Sequence, residues 1–309
     1  MSQPGAVAAL DCGTNSTRLL VADPTGRALS REMRITRLGQ GVDAHRRLDA
    51  DAIERTLDAL REFRVIMDDH RVGRARLAAT SAVRDAANGA DFLRAAASVT
   101  GVEAELLSGR EEGRLSYAGA TAGLPAGGGP VLVLDIGGGS TELVTPVGEE
   151  ASSVSMDIGC VRLTERFLPG DPPTPEQVKG AVAAIGAALD WAEDEIPQLR
   201  HLHDDTVLVG LAGTVSTLAS LELDLAEYDR ERIHHSVLTR AAVGRWCDTL
   251  GAETVAERAQ RPPMPAGRQD VIFGGALVLR EVMDRYDRRE CVVSESDILD
   301  GLVMSILTS

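Results

Sequence analysis

Asp135-Ile136-Gly137-Gly138-Gly139-Ser140-Thr141-Glu142 follows the apolar run Val131-Leu132-Val133-Leu134. Such a run, ending in an aspartate and three glycines, reads as a strand leading into a turn whose backbone can approach a ligand closely. A hairpin needs only one or two glycines, and an acidic residue on each side is unneeded for turning. Amides of such a loop, with the Ser140 and Thr141 hydroxyls beside them, suit phosphate oxygens. The same pattern stands 124 residues earlier, where 7–10 run into Asp11-Cys12-Gly13-Thr14-Asn15-Ser16. Asp11 matches Asp135, Gly13 matches Gly137, Ser16 matches Ser140, Thr17 matches Thr141 and Leu19 matches Leu143. Two similar hairpins therefore head two halves of the chain.

Periodicity extends the pattern. After the first hairpin come a strand at 28–35, then a helix at 50–70 capped by Asp49 or Asp51, with Ile53, Leu57, Leu60 and Met67 on one face. A strand at 76–80, a helix at 91–99 ending at Gly101, a strand at 102–107 and a helix from Gly109 complete the order βββαβαβα. The second half opens alike, with strands near Val131, Glu142 and Ser153 and a helix begun by Thr174-Pro175-Glu176. A strand at 206–210, a helix after Gly213, a strand at 291–294 and a last helix from Ser296 follow. The Gly- and Pro-rich stretch 121–130 is the expected hinge between domains 1–125 and 126–309, with the last helix, 296–309, packing back on the first domain. Open α/β sheets bind ligands at the carboxyl ends of their strands, which predicts a site in the interdomain cleft.

The composition sets bounds. A formal net charge of −15 argues against nucleic-acid binding, which rests on clustered Lys and Arg, so an anionic ligand must be held locally. Lys179 is the sole lysine; arginine's planar fork suits bidentate phosphate contacts. Apolar runs of strand length predict no membrane span, and four scattered cysteines without a CxxC pair fit a cytoplasmic chain with no zinc knuckle.

Carboxylates beside a phosphate chain repel it, so Asp135 and Asp11 point to a divalent cation between, Mg²⁺ or Mn²⁺; capping of the turn's own amides is the alternative. Ser108-Gly109-Arg110-Glu111-Glu112-Gly113-Arg114 opens a helix, where Glu111 and Glu112 are either ordinary first-turn acids or a general base. Arg84, after Thr80-Ser81-Ala82-Val83, is either a phosphate clamp or a surface arginine. Gly213-Thr214 forms another anion-friendly turn. The histidines lack a companion ligand set.

These motifs, with Val293-Ser294 and Gly301 near the end, resemble the exopolyphosphatase and guanosine pentaphosphate phosphohydrolase family over nearly the whole chain. The resemblance implies an α/β fold of two ribonuclease-H-like domains, of the actin-like ATPase and sugar-kinase type. It implies Glu112 as the base that activates water, and Asp135 and Glu142 as the groups that position metal and water. The backbone around 137–140 and 14–16 would hold phosphates, with Arg84 as a clamp and Arg268 as a second clamp. The implied activity is release of orthophosphate from the end of inorganic polyphosphate. Guanosine pentaphosphate (pppGpp) is the alternative substrate, and an alarmone or nucleotide sensor without turnover is the alternative of another class. Cys12, Thr14 and Gly113 depart from the residues common in the family without removing a functional group. Longer relatives carry extra C-terminal domains, so the expectation here is distributive action on long polymer, a homodimer being the arrangement that would supply a longer track.

Overall fold

The computed structural model describes residues 5–124, 129–147 and 150–309. The chain divides into two compact units, one running to Gly119 and resumed by Asp297–Ser309, the other spanning Ala120–Ser296. The first unit contains β1 (Val7–Cys12), β2 (Ser16–Ala22), β3 (Ala28–Ile35), α1 (Val42–His45), α2 (Ala50–Asp69), β4 (Arg74–Ala79), α3 (Ser81–Arg84), α4 (Gly89–Thr100), β5 (Ala104–Leu106) and most of α5 (Gly109–Thr121). The second holds β6 (Val131–Ile136), β7 (Thr141–Val147), β8 (Glu150–Met156), α6 (Cys160–Phe167), α7 (Pro175–Glu195), β9 (Val207–Leu211), α8 (Ala212–Glu222) and α9 (Arg230–Ile233). It continues with β10 (Val237–Thr239), α10 (Arg240–Ala252), α11 (Val255–Ala259), α12 (Ile272–Arg285) and β11 (Glu290–Val293), and α13 (Ile298–Thr308) returns to the first unit.

Both sheets carry one topology. The first is ordered β3-β2-β1-β4-β5 and the second β10-β11-β9-β6-β7-β8, so each has an antiparallel three-strand meander followed by parallel strands. This is the mixed α/β, ribonuclease-H-like arrangement expected for each half, with β10 added at the far edge of the second. The period-two alternation of β1 explains why its sheet is covered twice. Ala8, Leu10 and Cys12 pack with Leu57, Leu60, Phe63 and Met67 of α2 and Phe92 and Ala96 of α4, whereas Val7 and Ala9 meet Leu299, Leu302, Val303 and Ile306 of α13. Each large buried side chain contributes about 1.5–3 kcal/mol, which makes α13 part of the core of the first unit. Gly301 lets α13 approach α5: a Cβ there would lie 2.1 Å from the carbonyl oxygen of Leu115.

Local signals act where the sequence placed them. The Asp49 carboxylate accepts from the amides of Asp51 and Ala52 to cap α2, Gly101 in the left-handed conformation closes α4, and Thr174 with Gln177 forms a capping box on α7. Two readings need correction. The helix placed after Gly213 begins at Ala212, so Gly213 and Thr214 lie in its first turn, and the last helix begins at Ile298 behind Asp297 as its cap. The sequence predicts no bounded element between the helix after Gly213 and the strand at 291–294, where α10 and α12 stand. Of the expected hinge stretch, Thr121 still belongs to α5, and 125–128 lie outside the described residues.

Candidate functional site

In the first unit the site residues gather at the carboxyl ends of β1 and β4, where Cys12 and Ala79 are register partners. The turn is closed by the Gly13 amide donating to the Ser16 carbonyl at 3.0 Å. The carbonyl of Thr14 accepts from the Gly39 amide at 2.8 Å, and that of Asn15 from the amides of Thr36 and Arg37 at 3.1 and 3.0 Å. Among the described residues the amides of Thr14 and Asn15 themselves have no acceptor. Thr14 Oγ1 lies 3.0 Å from Ser81 Oγ, joining the turn to α3.

Asp11 is buried, and its Oδ2 accepts from Arg18 Nε at 3.0 Å and Nη2 at 2.6 Å. Arg18 Nη1 reaches on to Asp297 Oδ2. Asp11 Oδ1 is buried without a hydrogen-bond partner in the structure. Burial pushes the Asp11 carboxyl above its ordinary range against the pull of Arg18. For Asp297 burial pushes the same way, but Arg18, Arg31 and the Leu299 amide together hold it below the usual range.

Geometry separates the two glutamates at the start of α5. Glu112 is buried, its Oε2 3.7 Å from Arg84 Nη1, and that nitrogen also donates to the Leu107 carbonyl at 3.0 Å. The Glu111 side chain is 51% exposed, 3.9 Å from Arg76. Arg84 is therefore not a free surface arginine, because it stands beside the buried glutamate and donates to the Leu107 carbonyl.

The second unit repeats the logic at the ends of β6 and β9, where Asp135 and Leu211 are register partners. The Gly137 carbonyl accepts from the Cys160 amide at 2.9 Å, and the Gly138 carbonyl from the amides of Val161 and Arg162 at 2.9 and 3.1 Å. Arg162 Nε donates to the Gly139 carbonyl at 2.7 Å. The amides of Gly138 and Gly139, like those of Thr14 and Asn15 at the same offset, have no acceptor among the described residues. Both turns thus spend their carbonyls on the protein and keep two adjacent amides for an outside acceptor, as an anion nest does. Ser140 is buried, and Thr141 Oγ1 donates to the Ile158 carbonyl at 3.1 Å, so the Thr141 hydroxyl fastens the turn.

Asp135 on β6 and Glu142 on β7 are cross-strand partners, both buried, and Glu142 Oε1 accepts from Ser155 Oγ at 2.6 Å. Gly213 lies under the Arg268 guanidinium, where a Cβ would stand 1.3 Å from Nη1. The structure thereby joins Gly213 and Arg268 at the N-terminus of α8, and Thr214 is buried in the same turn.

Sequence reasoning missed Arg18, Ser81, Arg162 and Asp297. Arg18 left a signal there, since it occupies in the first hairpin the position that Glu142 holds in the second, and Ser81 stands within the stretch that leads to Arg84. Among the described residues no group of three or more His, Cys, Asp or Glu is arranged to hold a metal, and no helix is long and apolar enough to cross a membrane.

Exopolyphosphatase 2 of Mycobacterium tuberculosis is 43% identical to the chain, over 97% of this chain and 98% of the relative. The crystal structure of the Aquifex aeolicus Ppx/GppA family member superposes with a TM-score of 0.78 at 33% identity, covering 98% of each chain. An exopolyphosphatase from Cytophaga hutchinsonii superposes at 0.89 with 26% identity, again over 98% of each. The family model matches residues 21–309, and the chain belongs to the Ppx/GppA phosphatase family.

Proposed function

We propose that the chain is an exopolyphosphatase, a hydrolase that cleaves the terminal phosphoanhydride of inorganic polyphosphate and releases orthophosphate. The observation that carries this reading is the pair of turns, each of which keeps two adjacent amides free of protein acceptors at the end of its central strand. The amides of Thr14 and Asn15 in one unit, and of Gly138 and Gly139 in the other, bind phosphoryl oxygens; Ser16, Ser140 and Gly137 shape those turns. Arg268, laid on Gly213 at a helix N-terminus, adds positive charge where α8 already favours an anion.

Glu112 is the base. It orients a water for in-line attack on the terminal phosphorus and takes its proton as the new P–O bond forms and the anhydride P–O bond breaks. The shortened chain leaves as the anion. Arg84 holds the Glu112 carboxylate in place from 3.7 Å and supports the base, in addition to any contact with phosphate.

A divalent cation, Mg²⁺ or Mn²⁺, needs few protein carboxylates when substrate oxygens and water complete its shell, so a two-carboxylate set suffices. Asp135 fits as its main protein ligand with Glu142 opposite, and the partnerless buried Oδ1 of Asp11 fits a hydrated cation in the first unit. Such an ion would screen the charge of the phosphate chain. Four buried, unpaired cysteines support a cytoplasmic setting.

The test is phosphate release from long polyphosphate, tripolyphosphate and pppGpp, each with Mg²⁺ or Mn²⁺. Turnover of polyphosphate supports the proposal. Turnover of pppGpp alone would make the chain a pppGpp 5′-phosphohydrolase, and binding without release would make it a sensor.

A further inference from the structure

A protein of net charge −15 must hold a polyanion through local clusters of positive charge, because its overall field opposes the ligand. In the first unit Arg18, Arg31, Arg34, Arg61, Arg64 and Arg76 are all engaged by carboxylates. Arg71, Arg74, Arg110 and Arg114 are exposed singly without such a partner among the described residues, whereas His45, Arg46 and Arg47 stand together. They form three consecutive exposed residues whose side chains take no ion pair or hydrogen bond among the described residues. The nearest acid on the downstream side, Asp49, spends its carboxylate on the cap of α2.

This basic turn is fixed at both ends to the elements that carry the phosphate turn. Upstream, the Gly39 amide donates to the Thr14 carbonyl at 2.8 Å and the Arg37 amide to the Asn15 carbonyl at 3.0 Å. Downstream, the Ala87 amide donates to the Arg46 carbonyl at 2.9 Å. Asn88 then accepts from the Leu48 amide at 2.8 Å and donates to the Leu48 carbonyl at 3.1 Å. Ala87 and Asn88 stand three and four residues after Arg84, and Ser81 at the head of the same stretch meets Thr14. Arg46 moreover sits at φ 51°, ψ 33°, left-handed backbone that favours glycine. A charged side chain is thus displayed from a turn where glycine would cost the backbone less.

Resting on the function proposed above, we infer that Arg46 and Arg47, with His45, form a distal phosphate subsite that holds the chain beyond the phosphates bound at the Thr14 turn. Its ligand class is an extended polyphosphate: repeated anionic groups on a flexible chain match adjacent guanidinium forks. A triphosphate has few groups left over to reach it. The subsite therefore sets chain-length preference, and the preference levels off once the turn is filled.

The experiment uses the full chain with Mg²⁺ and compares wild type with Arg46→Gly/Arg47→Ala, the glycine suiting the left-handed backbone so that the turn is kept. In wild type kcat/KM should climb with polyphosphate length and then plateau. In the double variant it should fall about tenfold on long chains through KM, and less than about twofold on tripolyphosphate, flattening the length dependence. Arg47→Lys should retain much of that dependence, and Arg289→Ala, which removes an exposed charge ahead of β11, should leave it intact. Equal losses at every length, or none on long chains, overturn the subsite. If wild type releases phosphate from no polyphosphate, the exopolyphosphatase reading fails separately. Equilibrium binding of long polyphosphate to the two proteins then still decides: weaker binding by the variant upholds the subsite and equal binding overturns it.

Discussion

Asp135 and Glu142 stand directly opposite each other across the β6–β7 pair. The equivalent register position in the first hairpin pairs Asp11 with Arg18. One copy of the hairpin answers its strand-end carboxylate with a guanidinium, and the other sets a second carboxylate against it. Like charges at cross-strand spacing disfavour one another, and a divalent cation relieves them. On the proposed function, the two copies of one hairpin have therefore taken different tasks.

The Asp135–Glu142 pair makes the cation requirement testable. Asp135→Asn should raise the Mg²⁺ concentration for half-maximal activity by roughly 10–100-fold, the span seen when metal-site groups are altered, while thermal stability changes little. A metal titration followed by phosphate release, with a melting curve alongside, checks it. An unchanged titration removes Asp135 from the metal site.

Glu112→Gln should lower kcat by roughly 10²–10⁴ with folding and polyphosphate binding intact, the range for losing a general base. Glu111→Gln should stay near wild type, since that side chain is half-exposed beside Arg76. Steady-state rates for both variants, with a binding isotherm for Glu112→Gln, separate base from bystander. Equal losses in the two would move the base elsewhere.

Arg18→Met leaves the buried carboxylates of Asp11 and Asp297 without the guanidinium they share. Breaking such an arrangement costs about 3–5 kcal/mol. Urea unfolding should show that loss, and adding Asp297→Asn should recover part of it. A single variant as stable as wild type would mean that the pair carries no net stabilisation.

The acid limb of stability should depend on Asp297. Burial disfavours its charged form, but Arg18, Arg31 and the Leu299 amide hold its folded pKa below the ordinary 3.8. A lowered pKa contributes stability that is present above the unfolded value and lost as pH falls through the folded one. Asp11, raised by burial, works in the opposite sense, its contribution being lost as pH rises. Urea midpoints measured downward from about pH 6 should therefore fall less steeply for Asp297→Asn than for wild type. Parallel curves would contradict this.

Gly213→Ala places a methyl where the Arg268 guanidinium lies. The obstructing atoms end a flexible side chain and alanine favours helices, so stability should change by less than about 1 kcal/mol. The displaced arginine should instead raise KM for polyphosphate, as Arg268→Ala should. An unchanged KM in both would take Arg268 out of the binding site.

What could be read from the sequence was local. The hairpins repeat their strand, aspartate and glycine at fixed spacing, and α2 and α7 announce themselves by Asp49 and Thr174 at their caps. What could not be read is long-range or unpatterned. Arg18 and Asp297 meet across 279 residues of sequence, and no spacing rule pairs them. α12 was missed because Ile272-Phe273-Gly274-Gly275-Ala276-Leu277-Val278-Leu279 is buried all round, which erases the amphipathic stripe that marks a helix, and because paired glycines argue against one. The difference between Glu111 and Glu112 is likewise a matter of which face of α5 turns inward, and adjacent residues in a first turn do not reveal it.

The return of α13 to the first sheet also sets an order of events during synthesis. Val7, Ala9, Leu20, Ala22 and Ala78 line a sheet face whose cover, Ile298 to Ile306, is translated about 190 residues after Leu107. At typical ribosomal rates that interval is roughly 10–40 s. The second unit, contiguous from Ala120 to Ser296, emerges whole in the meantime. The N-terminal unit is therefore begun first and finished last, and throughout that wait its nascent form presents an apolar face for a chaperone to shield.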